Sequence, residues 1–195
     1  CVFALFAAST AHAVPDAPIY ANSLAAGWQN WSWGTTANFN NANPALGGSG
    51  TSIAVTYTQA WAGLYLHTDG ALNSADYIKL RFSIHGGSAG AQHLRLYAVN
   101  SALQDGSPVT IAPPAAGAWT LVEIPIANLG VSNIGGLVWQ DTFGAAGGQP
   151  TYYLDEISLI AAGGNPQPGV GPALTVNATG NPRPISEYIY GINFA

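Results

Sequence analysis

The sequence predicts an all-β protein, a two-sheet antiparallel β-sandwich with disordered or extended N- and C-terminal tails. Three observations predict it. Short runs rich in β-branched and aromatic residues recur at sandwich spacing, each bounded by Gly, Pro, Asn or Ser. Charged residues make up only 7% of the chain, beside 24 Gly and 13 Pro, so helices would lack charged outer faces. No window of useful length shows apolar residues at the helical period.

The expected strands follow in order. Ile19-Tyr20 opens the first (19–24), and Gly27 ends the turn behind it. Trp28, Trp31 and Trp33 mark the second (28–33), and Phe39 closes a short third (37–39) before the Gly/Asn/Pro stretch 41–50. The runs 52–58 and 63–67 come next, with Leu64 and Leu66 alternating against Tyr65 and His67. The hairpin 77–85 and 93–100 shows its two faces plainly. Leu80, Phe82, Ile84, Leu94, Leu96 and Ala98 point one way; Arg81, Ser83, His85, His93, Arg95 and Tyr97 point the other. The aliphatic set packs inward, leaving Arg95 and Tyr97 on an open face that Tyr65, His67 and Trp61 share. Runs 109–111, 120–125, 136–141 and 152–160 complete the set, with Trp119 read as core and Trp139 on the parity of Leu137.

Outside the sandwich (19–162) the chain changes character. Residues 1–13 read as the end of a secretory leader, an apolar run from Val2 to Ala8 followed by Ala11-His12-Ala13. Residues 14–18 are a short linker and 163–173 a Gly/Pro linker, and 174–195 are the truncated start of a second unit. The expected location is secreted and extracellular. Cys1, the one cysteine, lies in the leader, so disulfides and thiolate chemistry are not expected of the rest. A net charge of −5 offers nothing to phosphate backbones, which excludes nucleic acid, and the apolar run is too short to span a bilayer.

Aromatic side chains offer flat apolar platforms for the C–H faces of sugars, and the chain has six Trp and nine Tyr in a background poor in charge. Trp61, Tyr65, His67, Arg95 and Tyr97 are the first candidates for such a surface. Gln140 and Asp141 are placed to meet hydroxyls at a strand end, and Trp33 and Trp139 are further candidates. The plainer alternative is that most of these rings are core or rim. Catalysis is not expected: glycoside hydrolysis needs two facing carboxylates, and the acids Glu123 and Glu156 are not brought together by parity. His67, His85 and His93 lack metal-ligand spacing, and Ser88 has no base beside it.

Three stretches carry a family resemblance. Tyr152-Tyr153-Leu154-Asp155-Glu156-Ile157-Ser158-Leu159 resembles the final strand of jelly-roll, galactose-binding-like carbohydrate-binding modules. Gly27-Trp28-Gln29-Asn30-Trp31-Ser32-Trp33-Gly34 and Trp61-Ala62-Gly63-Leu64-Tyr65-Leu66-His67 resemble modules that precede bacterial cellulases. Arg183-Pro184-Ile185-Ser186-Glu187-Tyr188-Ile189-Tyr190-Gly191-Ile192-Asn193-Phe194 looks like the opening of a family 44 glycoside hydrolase, a group of endoglucanases and xyloglucanases. The resemblance implies a non-catalytic module that holds a retaining, endo-acting hydrolase near plant cell-wall β-glucan. The competing expectation is a structural domain that packs on the hydrolase barrel without binding glycan. The resemblance also implies a structural calcium ion held by Asp155, with partners at Asn22 and in the loop at Gly47 and Ser49. Related modules often place an acid where this chain has Ala21-Asn22.

Overall fold

The computed structural model describes residues 14–48, 50–144 and 148–162; the leader, the 163–173 linker and the 174–195 unit all lie outside the described residues. Eleven strands follow one another: β1 (Ala17–Tyr20), β2 (Trp28–Asn30), β3 (Thr35–Asn41), β4 (Ser52–Tyr57), β5 (Gly63–Asn73), β6 (Tyr77–His85), β7 (Leu94–Val99), β8 (Val109–Ile111), β9 (Trp119–Pro125), β10 (Asn133–Asp141) and β11 (Tyr152–Ala161). Their only helical interruptions among the described residues are short 3-10 turns.

The strands form two antiparallel sheets. One runs β3-β4-β11-β6-β9, with β1 also paired to β11; the other runs β2-β5-β10-β7-β8. Between them lies the core expected from alternation: Leu64 and Leu66 of β5, Leu80, Phe82 and Ile84 of β6, Leu94 and Leu96 of β7, all buried. Each such side chain contributes about 1.5 to 3 kcal/mol on leaving water. Tyr57 and Tyr152 meet inside this core, hydroxyl to hydroxyl at 2.7 Å, and the Tyr57 hydroxyl also donates to the Trp139 carbonyl at 2.8 Å. A buried phenol that finds such partners avoids the cost of an unsatisfied polar group.

Two aromatic residues depart from expectation. Trp139 was a candidate ligand contact, but its side chain is fully buried, edge-on to Phe82 at 5.3 Å between ring centroids. Its parity with Leu137 decides this, because no bulge interrupts β10 between them. Trp119, expected in the core, is half-buried and pairs across the ladder with His85 on the outer side of its sheet. The sheet registers as Ile84 opposite Thr120, so Trp119 falls one residue off the inward set.

Candidate functional site

The outer face of the β2-β5-β10-β7-β8 sheet carries most of the candidates, and strand register places them in rows. Val138 lies between Tyr65 and Tyr97, Gln140 between Gly63 and Arg95, and Gly136 pairs with His67, which in turn pairs with Gln29. Tyr65, Tyr97, Val99 and Val138 pack together as a small apolar cluster separate from the main core.

This floor is not open to water, which corrects the expectation of Tyr65 and Tyr97 on an exposed face. They retain 9% and 7% of their surface. For Tyr65 the reason is the segment after β2. Trp31 N–H donates to the Tyr65 carbonyl at 2.8 Å, and Trp33 exchanges two backbone hydrogen bonds with Gly63. Residues 31–33 therefore run along the edge of β5 and lay their indoles over it. Trp31 and Trp33 meet Tyr65 edge-on at 6.0 and 6.5 Å. The displayed rings are Trp31 (44% exposed), Trp33 (39%) and Trp61 (52%). The result is a phenolic floor rimmed by three indoles.

Each rim indole is held from below. Trp31 stacks on His67 at 3.6 Å, and its Nε1 donates to Gln29. His67 is clamped between the Tyr65 hydroxyl (3.1 Å) and the Asp69 carboxylate (3.0 Å), and Asp69 also accepts from Gln29. Trp33 Nε1 donates to the Trp61 carbonyl at 3.0 Å. Trp61 itself has φ of 60°, a left-handed conformation that costs a bulky residue energy and must be enforced by its surroundings. Asp141 enforces it by accepting the Trp61 N–H at 3.0 Å, while Gln140 donates to the Trp61 carbonyl at 3.1 Å.

Asp141 thus has a role other than the expected hydroxyl contact. It is 1% exposed, and its carboxylate also accepts the N–H groups of Phe143 and Gly144 and the side-chain amide of Gln149. With its oxygens occupied, it ties Trp61, Phe143, Gly144 and Gln149 together beneath the site. Gln140 is likewise engaged, accepting from Arg95 Nε at 2.8 Å; the Arg95 guanidinium sits over the Tyr97 ring at 5.8 Å. Burial, then the Asp105 carboxylate nearby, pushes the Tyr97 phenol up to about 12. It remains a neutral donor at any physiological pH.

Sequence reasoning grouped Trp61, Tyr65, His67, Arg95 and Tyr97 on one open face; the structure brings Gln140 and Trp33 beside them, with Tyr65, His67 and Tyr97 buried. Sequence reasoning missed Trp31, Gln29, Asp69 and Asp105. For Trp31 the signal was present, since it shares parity with Trp33.

At another corner, Asp155 is 3% exposed and accepts backbone N–H groups from Leu46 (3.2 Å) and Glu156 (2.8 Å). Burial nevertheless holds its carboxyl above the usual range. Asn22 accepts the Thr51 N–H at 2.9 Å, and its carbonyl accepts the Thr51 hydroxyl at 2.7 Å. Gly47 belongs to the same loop; Ser49 lies outside the described residues. The donor set is one carboxylate with amide and carbonyl oxygens, the type calcium takes, and a cation would stabilise a buried ionised carboxylate. No group of three or more His, Cys, Asp or Glu gathers among the described residues.

Among the described residues, Glu123 and Glu156 are each engaged apart from the other. Glu123 is held by Lys79 and Arg81, each at 2.8 Å. Glu156 occupies a bulge in β11 with φ of 51°.

Comparison with known proteins supplies independent findings. The profile of one family, described as the expansin-like protein C-terminal domain, matches residues 19–162. An endoglucanase from Dictyostelium discoideum is 29% identical over 147 residues, which cover 71% of this chain and 20% of that protein. The chain therefore spans about a fifth of this curated relative. Among solved structures, a family 29 carbohydrate-binding module is similar with a TM-score of 0.53 and 13% identity, covering 74% of this chain and 86% of that one. A family 11 carbohydrate-binding module from Clostridium thermocellum, solved with a β-1,3-1,4-mixed-linked tetrasaccharide, gives 0.53 and 18% identity, covering 77% and 98%. These likenesses establish the jelly-roll fold.

Proposed function

The chain belongs, over residues 19–162, to the family of expansin-like protein C-terminal domains, and from that premise we propose that it is a non-catalytic carbohydrate-binding module. Its ligand is a neutral plant cell-wall β-glucan, laid across the β2-β5-β10-β7-β8 face. One observation carries this reading: three exposed indoles, Trp31, Trp33 and Trp61, stand around the Tyr65–Val138–Tyr97 floor with their backbones and edges fixed. Rigid aromatic platforms lose little conformational freedom on stacking against sugar C–H faces. Gln29, Asp69, Arg95 and Asp105 line the flanks with groups suited to hydroxyls.

The mixed-linkage ligand of the family 11 module and the endoglucanase relative both favour a β-glucan target. The parent is a secreted glycoside hydrolase, and the module raises the enzyme's local concentration at the polymer through its linker. The corner formed by Asp155, Asn22 and Gly47 binds a structural calcium ion, with Asp155 supplying the charge.

Affinity electrophoresis of the chain through gels of xyloglucan, mixed-linkage glucan, carboxymethylcellulose and mannan tests the function. Retardation by at least one β-glucan is expected. Free migration through all four would sink the proposal.

A further inference from the structure

The outer face of the opposite sheet carries a second aromatic row. Register brings Tyr153 of β11 opposite His85 of β6, and His85 opposite Trp119 of β9. The three side chains form a transverse line, with ring centroids 5.8 Å apart from Tyr153 to His85 and 5.2 Å from His85 to Trp119. Trp119 and Tyr153 are half-buried, and Leu121 beside them is 60% exposed.

The row is rich in unengaged donors. His85 Nδ1 accepts the Gly87 N–H at 2.9 Å, which leaves its proton on Nε2, between the two rings. Neither the Trp119 indole N–H nor the Tyr153 hydroxyl has a hydrogen-bond partner among the described residues. The backbone beneath is braced: the Gly86 N–H donates to the Ala115 carbonyl and the Gly117 N–H to the Gly87 carbonyl, tying the 86–91 turn to the 114–117 loop. No uncompensated charge lies in the row. Asp155 turns its carboxylate to Leu46 and Glu156, and Glu123 on the same face is paired with both Lys79 and Arg81.

We propose that Trp119, His85 and Tyr153 form a second glycan-binding site, on the face opposite the first, for a short stretch of neutral polysaccharide. The chemistry matches one occupant. Flat rings two strand spacings apart, about 9.5 Å, span a disaccharide unit, and the half-buried Trp119 and Tyr153 carry an indole N–H and a hydroxyl that meet hydroxyl oxygens, with His85 buried between them. None of the three row side chains is a carboxylate or a fixed cation that would pair with an ionic ligand. With a site on each face, one domain joins two glycan chains. The inference rests on the glycan-binding reading of the first face but on different residues.

Heteronuclear NMR of the unmodified chain titrated with cellohexaose tests it without any variant. The Trp119 indole N–H and His85 ring signals are expected to shift together with those of Trp31, Trp33 and Trp61. Calorimetry at saturation should show about two oligosaccharides per chain, falling to about one in Trp119→Ala and in Trp31→Ala/Trp61→Ala. Shifts confined to the first face, with a stoichiometry of one that Trp119→Ala leaves unchanged, overturn the second site and spare the first. Shifts on neither face, with no retardation in any gel, overturn both.

Discussion

Trp33 lies across Gly63 so closely that a Cβ at residue 63 would stand 2.4 Å from the indole Cη2. The absent side chain is the seat of the ring. Gly63→Ala should therefore lift Trp33 out of the rim, with an overpacking cost of about 1 to 3 kcal/mol. The expected outcome is a folded protein by circular dichroism whose glucan affinity falls about tenfold, equivalent to about 1.4 kcal/mol. An unchanged affinity in a folded variant would mean that Trp33 does not touch ligand.

Asp141 should act on binding without contacting sugar. Removing it strands the N–H groups of Trp61, Phe143 and Gly144 and releases Trp61 from its left-handed conformation. Asp141→Ala should cost about 3 kcal/mol of stability, the range for hydrogen bonds to a buried charge. Chemical denaturation measures that cost, and tryptophan emission should broaden as Trp61 loses a fixed position.

Trp139 and Trp61 should separate stability from affinity. Truncating the buried Trp139 opens a core cavity, and Trp139→Ala should lose about 3 to 5 kcal/mol. Trp61→Ala removes a half-exposed ring and a strained bulky residue, so its melting temperature should change little while glucan retardation weakens. The reverse pattern would misassign both residues.

Asp155 gives a pH signature. Burial raises its folded-state carboxyl above the unfolded value, so the fold favours the protonated form. Stability from this group is then complete below the unfolded value of about 3.9 and is lost as pH rises through the raised folded value. In chelator, the wild type should lose melting temperature relative to Asp155→Asn as pH climbs out of the acid range. Added calcium, favouring the ionised form, should reverse that trend; no calcium effect on melting at neutral pH would remove the ion from this corner.

Much of the fold was legible because alternation is a local signal. Leu80, Phe82 and Ile84 against Arg81, Ser83 and His85 define an inward and an outward face with no knowledge of partners, and β6 was bounded as found. Strand β5 was read too short, because Thr68-Asp69-Gly70 looks like a turn, whereas β10 pairs again with Leu72 and Asn73. The candidate face was legible for the same reason, but its layering was not. Whether Tyr65 is platform or floor depends on Trp31 and Trp33 crossing β5 from a segment 32 to 34 residues earlier in the chain. Asp141 was misread because its partners, Trp61 and Gln149, are assembled only by the folded loops.

Strand β1 runs antiparallel beside β11, with Ala17 opposite Leu159 and the Asp16 carboxylate accepting the Ala161 N–H. Entry and exit of the domain thus sit next to each other at one margin of the sandwich. A pull applied between those two points would peel β1 away from its open end, one backbone bond after another, instead of shearing the whole ladder at once. Mechanical load from a tether would be felt at this margin first, while the ring-bearing surfaces on the body kept their shape.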